Sequence, residues 1–301
     1  MSKATRSVFV AIVGKPNVGK SSLLNRLVGE KVAIVTSKPQ TTRTRITGIL
    51  TKGAVQYVFL DTPGMHRPRT KLGGRMTKTV KDTLADGDSV AMLFDPVEPL
   101  NSAEKELVEA IQNGSAPAVA VVNKADTVQD SAVWAQTVAE LEALQVFKQV
   151  GVVSAAEGTG CEELLEILQS YAVEGPHYFT EDAYTDLPEK QLVAEIIREK
   201  ILIYMSQEIP HGTAVEIERF REREDKPIID IEATIFCEKK THKGMIIGKG
   251  GQMLKTIASE ARQDCEEMLG NRVNLQCWVK VKDDWRDNDF LLNNFGFKSG
   301  K

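Results

Sequence analysis

The chain has 301 residues, 42% of them apolar and 27% charged, with 38 Lys and Arg against 42 Asp and Glu, a formal net charge of −4. That length is about twice a typical domain, so two domains are expected, and the composition excludes disordered, collagen-like and coiled-coil chains. No apolar run approaches the roughly 18 residues of a membrane span, the short polar stretch before Val8 is not a secretory signal, and the net charge alone argues against a nucleic-acid partner.

From Val8 to about Tyr171, short apolar runs alternate with longer amphipathic segments. Strands are predicted at Val8–Val13, Ile46–Thr51, Val55–Asp61, Ser89–Asp95, Ala118–Asn123 and Gln149–Ser154. Helices are predicted at Ser21–Val28, Leu72–Leu84, Ala103–Gln112, Val133–Leu144 and Glu162–Ala172. That alternation implies βαβ units and a mainly parallel sheet covered on both faces. Around Glu174–Glu189 the chain carries two prolines, the acids Glu181, Asp182, Asp186 and Glu189, and no Lys or Arg, so it reads as an acidic linker. A helix (Leu192–Met205), strands (Ala214–Phe220, Ile228–Cys237), a Gly-rich turn, a long helix (Gln252–Leu269) and a strand (Asn274–Val281) follow. The expected division is 1–173, linker 174–190, and an α+β unit 191–301. The four scattered cysteines, Cys161, Cys237, Cys265 and Cys277, read as reduced thiols.

Gly14-Lys15-Pro16-Asn17-Val18-Gly19-Lys20-Ser21 follows the first strand and opens the first helix, the strand-loop-helix setting that a GxxxxGK[ST] phosphate loop requires. Glycines let backbone N–H groups, including that of Ser22, face a phosphate chain, and the helix N-terminus adds its positive dipole. Lys20 would pair with the terminal phosphates and the Ser21 hydroxyl would ligate Mg²⁺. Asp61-Thr62-Pro63-Gly64 ends the third strand, where the carboxylate can serve the Mg²⁺ shell and the Gly64 N–H can reach a γ-phosphate. Asn123-Lys124-Ala125-Asp126 follows the fifth strand. The Asp126 carboxylate accepts two hydrogen bonds from guanine but would stay unpaired against adenine, which selects GTP and GDP. Asn123 would tie the loop together, Lys124 would flank the base, and a backbone N–H of Ser154-Ala155-Ala156 would meet the guanine carbonyl. Thr41-Thr42-Arg43 lies in the polar segment Thr36–Arg45, and a threonine there, Thr42 in preference to Thr41, can complete the Mg²⁺ shell while the γ-phosphate is present. Lys20, Thr42 and Gly64 are the catalytic candidates. Met65 stands where related switches carry a water-orienting glutamine, so the hydrolytic group lies elsewhere and slow turnover is expected.

In the second unit, Ile246-Ile247-Gly248-Lys249-Gly250-Gly251-Gln252-Met253-Leu254-Lys255 carries a GxxG turn. From Glu238 to Lys255 there are five lysines and one acid, a local charge of +4. Ile247, Gly248, Lys249, Gly250, Gly251 and Lys255 are the candidates for clamping about four unpaired nucleotides, as in a KH module. Phe236 is expected in the core, Trp278 and Trp285 are expected to pack the last strand and a terminal helix, His242 is expected at the surface, and Arg219, Arg221 and Arg223 read as a solvated edge.

On these residues, Gly14–Ser21, Gln40–Arg43, Asp61–Gly64, Asn123–Asp126, Ser154–Ala156 and Ile246–Lys255, the chain resembles the Era family of GTPases over nearly its whole length. The resemblance implies an α/β P-loop GTPase domain followed by an α+β KH type II-like domain. It implies GTP, GDP and Mg²⁺ as ligands, and binding to the 3′ end of 16S ribosomal RNA with a role in maturing the small ribosomal subunit. A cytoplasmic protein with loose peripheral contact to the inner membrane is expected, acting as a monomer and without DNA as a partner. Two other readings compete: a non-enzymatic RNA-binding adaptor, and a GTPase whose second unit meets a protein or membrane instead of RNA.

Overall fold

The computed structural model describes residues 4–65 and 68–297. The first unit is built from β1 (Arg6–Gly14), α1 (Lys20–Val28), β2 (Ile46–Lys52), β3 (Val55–Asp61), α2 (Lys71–Asp86), β4 (Ser89–Phe94), α3 (Ser102–Gln112), β5 (Ala118–Val122), α4 (Ser131–Ala143), β6 (Gln149–Val152) and α5 (Cys161–Gln169). The strands lie in the order β2-β3-β1-β4-β5-β6. All neighbours are parallel except β2, which runs against β3. β3, β4 and β5 are buried along their full lengths, as strands covered on both faces must be. β1 shows how: Val8, Val10 and Ile12 face Leu23, Leu24 and Leu164 on one side, while Ala11 and Val13 face Val80, Leu107 and Leu141 on the other. Each helical connection therefore crosses a face, and every loop that follows a parallel strand emerges at the same sheet edge.

The acidic segment is not a free tether. β7 (Val173–Glu174) pairs with the start of β1. Gln56 then pins the chain, its side-chain oxygen accepting from the amides of Tyr178 and Phe179 at 2.7 and 3.0 Å while its amide donates to Phe179 O. Further on, Ile49 N donates to Tyr184 O and the Thr185 hydroxyl to Thr47 O, so the segment covers part of the edge of β2. Composition reports charge and proline content; it does not report backbone hydrogen bonds supplied by a distant strand.

The second unit comprises α6 (Glu189–Tyr204), β8 (Thr213–Glu222), β9 (Ile228–Cys237), α7 (Lys240–Ile247), α8 (Gln252–Leu269), β10 (Arg272–Val281) and α9 (Asp289–Asn294). β9 lies in the middle of the three-stranded sheet, antiparallel to β8 and parallel to β10. The helices α6 and α8 cover one face through Val193, Ile197, Ile201, Ile257 and Ala261. Phe236 is buried as expected, and so is Trp285, but Trp278 is 43% exposed. On β10 the buried Val273 and Val279 face the helices, which puts the even-numbered positions, Trp278 among them, on the open face of the sheet. His242, read as a surface residue, is half-buried, whereas the arginines in and just after β8 are largely solvated and ion-paired, Arg219 with Glu232 and Arg223 with Asp230.

The units share a core. Leu72 and Met76 of α2 pack with Ala214, Phe236, Trp285 and Leu292, and the Trp285 ring N–H donates to Gly212 O at 2.9 Å. Around this cluster Lys71 pairs with Asp289 at 2.6 Å and Arg75 with Asp289 at 2.8 Å. Trp285→Ala is therefore expected to cost about 3–5 kcal/mol and to uncouple the units. Calorimetry of the full chain should show one cooperative unfolding transition resolving into two; a single transition with unchanged Tm would show that the cluster does not couple them.

Candidate functional site

The loops at the carboxyl ends of β1, β3, β5 and β6 close around a cleft of about 430 Å³. It is lined by Pro16, Asn17, Gly19, Lys20, Ser21, Ser22, Thr42, Gly64, Asn123, Lys124, Asp126, Ala155 and Ala156, so most of the predicted nucleotide residues converge on one space. Gly14, Lys15, Val18, Asp61, Thr62, Pro63 and Ser154 stand behind that lining. Lys15 in particular turns away, its ammonium pairing with Glu98 at 2.7 Å and the buried Glu104 at 3.7 Å. Only its backbone serves the loop, its carbonyl accepting from Lys20 Nζ at 2.9 Å. Thr62 is spent inward as well, its hydroxyl donating to Ile12 O.

Close approach explains two glycines. A Cβ on Gly19 would lie 2.2 Å from Asn123 Nδ2, and Gly19 has φ +97°; a Cβ on Gly64 would lie 2.7 Å from the Pro16 backbone. Asn123 is thus wedged against the phosphate loop, donating to Val18 O at 2.9 Å and accepting from Ala155 N at 3.1 Å. One side chain holds the phosphate loop, the loop after β5 and the loop after β6 in register. Ser154 donates to Asp126 Oδ1 at 2.5 Å, fixing the carboxylate at the cleft.

At the phosphate end, three hard oxygen donors meet, from α1, β3 and the segment between α1 and β2. The Ser21 hydroxyl donates to Asp61 Oδ2 at 2.7 Å and lies 2.9 Å from the Thr42 hydroxyl, and both Asp61 and Thr42 are buried. Thr41 is not interchangeable with Thr42: its hydroxyl is tied within its own segment, to Thr36 and Lys38 O. Among the described residues Asp61 Oδ1 is buried without a hydrogen-bond partner, an arrangement suited to a small cation. Burial pushes the Asp61 carboxyl up to about 6 against the pull of Lys20 and Ser21, and burial lowers the Lys20 ammonium to about 8 against the pull of Asp61. Met65 packs in the apolar cluster with Ala11, Val13 and Val80 and is 5% exposed, so its side chain takes no part in the cleft. His66 and Arg67, which follow Met65, lie outside the described residues.

Sequence reasoning missed part of the lining, Ile34 and Val35, and missed what holds it. The buried Glu199 of α6 accepts from Val35 N at 2.9 Å and from Lys31 Nζ at 2.6 Å. The adjacent Arg198 donates to Thr41 O, and Lys38 donates to the carbonyls of Leu202 and Met205 near the end of α6. Arg43, 4% exposed, donates to Thr213 O at 2.6 Å, His211 O at 2.9 Å and Pro210 O at 3.1 Å. The second unit therefore grips the cleft's polar segment at both ends. The available signal was Arg198-Glu199-Lys200 inside an otherwise apolar helical run, since buried charges need partners.

In the second unit, Ile246 is buried and Ile247 partly so, while Lys249 and Lys255 are exposed around the turn between α7 and α8. Gly248 has φ +73° and a Cβ there would lie 2.6 Å from Met253 Cβ; Gly250 and Gly251 open to free space. The result is a bare backbone turn at the N-terminus of α8 with flanking ammonium groups, suited to phosphodiesters.

The shifted carboxyl gives a pH prediction for nucleotide-free protein. Because Asp61 rises from 3.8 to about 6 on folding, the native state holds more protons than the unfolded chain between those values, and stability falls as pH rises through that window. Asp61→Asn should remove this fall and stabilise the empty protein at pH 7 by on the order of 2–3 kcal/mol. Urea unfolding from pH 4 to 7 measures it; parallel pH profiles for the two proteins would contradict the assignment.

Comparisons with known proteins agree with this geometry. Residues 9–124 match a family described as 50S ribosome-binding GTPase, and residues 208–286 match the KH domain. GTPase Era of Caldanaerobacter subterraneus subsp. tengcongensis is 47% identical over 99% of this chain and 100% of its own length. GTPase Era of Clostridioides difficile strain 630 is 44% identical over 97% and 98%. Among solved structures, Era in complex with MgGDPNP and nucleotides 1506–1542 of 16S ribosomal RNA superposes with a TM-score of 0.94 at 35% identity, over 97% of this chain and 99% of that one. An Aquifex aeolicus Era variant bound to GDP and AlF4⁻ gives the same values. The chain belongs to the Era family of GTPases, with a P-loop GTPase domain and a C-terminal KH domain.

Proposed function

We propose that this protein is a slow GTP-hydrolysing switch that binds single-stranded RNA at its KH domain, the RNA being the 3′ end of 16S ribosomal RNA, and that it assists maturation of the small ribosomal subunit. The observation that carries this reading is the convergence of Lys20, Ser21, Thr42 and Asp61 at one end of a cleft whose other end holds Asp126, with Thr42 supplied by a segment that the KH domain grips. The relative bound to MgGDPNP and 16S ribosomal RNA supports both ligands. We place the protein in the cytoplasm as a monomer. Any contact with the inner membrane is peripheral, since no helix among the described residues is long and apolar enough to cross a membrane.

In this reading the phosphate-loop amides and Lys20 receive the phosphates, with Lys20 exchanging its bonds to Gly14 O and Lys15 O for phosphate oxygens. Ser21, Thr42 and Asp61 would hold Mg²⁺, whose charge offsets that of the β- and γ-phosphates. The Gly64 N–H meets the γ-phosphate, and Asp126 reads the guanine edge. No side chain from position 65 reaches the attacking water, and hydrolysis is slow for that reason. Thr42 is adjacent to Arg43, so recruiting the Thr42 hydroxyl to the cation pulls on a residue anchored in the KH domain. Nucleotide state thereby alters the packing of Thr36–Arg45 and of the α2 segment against the KH domain, and with it access to the Gly248–Gly251 turn.

Two outcomes follow. Asp126→Asn should weaken GTP binding and improve binding of xanthosine triphosphate, whose base has a carbonyl where guanine has its amine; direct titration of both nucleotides shows it. The full chain should bind a short single-stranded 16S 3′-end RNA with different affinity in a non-hydrolysable GTP analogue and in GDP, and Lys249→Glu with Lys255→Glu should weaken both. Equal affinities in the two nucleotides would remove the switch, and unaltered binding by the double variant would move the RNA elsewhere.

A further inference from the structure

Arg26 lies in the last turn of α1, the helix whose first turn holds Lys20 and Ser21. Its side chain is exposed and has no role in the phosphate loop or in ion pairing described above. The guanidinium instead reaches across to the loop after β6: Nε donates to Ala155 O at 3.0 Å and Nη2 donates to Ala156 O. It lies over Gly158, where φ is +89° and a Cβ would fall 3.6 Å from Arg26 Cδ. The loop is closed on itself beneath this contact, with Gly158 N donating to Ser154 O at 2.7 Å and Ser154 N to Thr159 O at 2.9 Å.

The carbonyl of Ala155 and the amide of Ala156 belong to one planar trans peptide, in which C=O and N–H point in opposite directions. A donor that fixes the carbonyl towards α1 therefore turns the N–H away from α1. Ala155 N is already used, donating to Asn123 Oδ1, and both alanines line the cleft. A charged donor on the carbonyl also polarises the peptide and strengthens its N–H as a donor. We infer that Arg26 is a positioning residue for base recognition, aiming the Ala156 amide at the guanine carbonyl and tying the base loop to the helix that holds the phosphates. The inference rests on the guanine reading of the cleft proposed above.

The test is equilibrium binding of GDP and 6-thio-GDP to the full-length protein, sulfur being a much weaker acceptor than the carbonyl oxygen. Wild type should prefer GDP. Arg26→Ala should weaken GDP about tenfold and 6-thio-GDP about twofold or less, so that the preference collapses, as expected when a substitution and a ligand change remove the same interaction. In GTP hydrolysis KM should rise with kcat unchanged, and Arg26→Lys, which can still donate to one carbonyl, should recover part of the preference. If wild type prefers GDP and Arg26→Ala keeps that preference, or weakens both ligands equally, the inference fails while the guanine reading stands. If wild type does not distinguish the ligands, the carbonyl contact itself is absent and both fail.

Discussion

Asp61 is a carboxylate with no exposure to solvent, and the site is arranged around the cost of keeping it there. One oxygen takes the Ser21 hydroxyl, the other has no hydrogen-bond partner among the described residues, and its pKa is raised by burial. Lys20 compensates at a distance and is itself driven towards neutrality by burial. Two opposite charges, each destabilised by the same dry environment, are a poor arrangement for stability and a good one for binding. A triphosphate would satisfy the lysine and a divalent cation the aspartate, and the desolvation has already been met by the fold. The same logic accounts for Thr42, whose hydroxyl lies against Ser21 although its segment belongs to no regular element.

Communication between the domains follows from two neighbouring residues that face opposite ways. Thr42 turns to the phosphate end of the cleft, and Arg43 turns into the KH domain, where three carbonyls receive its guanidinium. A buried arginine held by three carbonyls and lying over the Trp285 ring, lowered to about 9 mainly by burial and by the nearby Arg198, tolerates few alternative positions. Displacement of one residue is thus felt by the other within a single peptide. The grip of α6 at Val35 and Thr41 ties the same segment to the KH domain at two further points, so it is not a loose loop.

Most of the fold was readable because its signals are local. Fully apolar strands, the spacing of the phosphate loop, Asp61–Gly64 and Asn123–Asp126, and the GxxG turn each state their geometry over a few residues, and strand and helix ends fell within one or two residues of those observed for most elements. What escaped is carried by contacts over long sequence separations. Lys15 belongs to the motif by position, yet its side chain answers to Glu98 and Glu104, more than eighty residues away. Trp278 reads as core by residue type, but its place on β10 puts it outside. Arg198 and Glu199 announce themselves as charges inside a buried helix, although their partners, Thr41 and Val35, are not deducible without the packing of one domain on the other.

The net charge of −4 shows how an average conceals an arrangement. Residues 1–176 hold 19 basic and 19 acidic residues, residues 190–301 hold 19 and 19, and the four excess acids lie between them. Those acids are exposed on a segment whose backbone is bonded to the flank of β2 and β3. A covered, negatively charged sheet edge resists strand addition by another chain. It also presents RNA with a repulsive surface on the GTPase domain, while the exposed lysines at the Gly248–Gly251 turn carry the opposite sign. With only a few ammonium groups at that turn, electrostatics can account for a few phosphate contacts and a shallow salt dependence. In the proposed reading, affinity for one RNA over others would then come from the bases held against the turn.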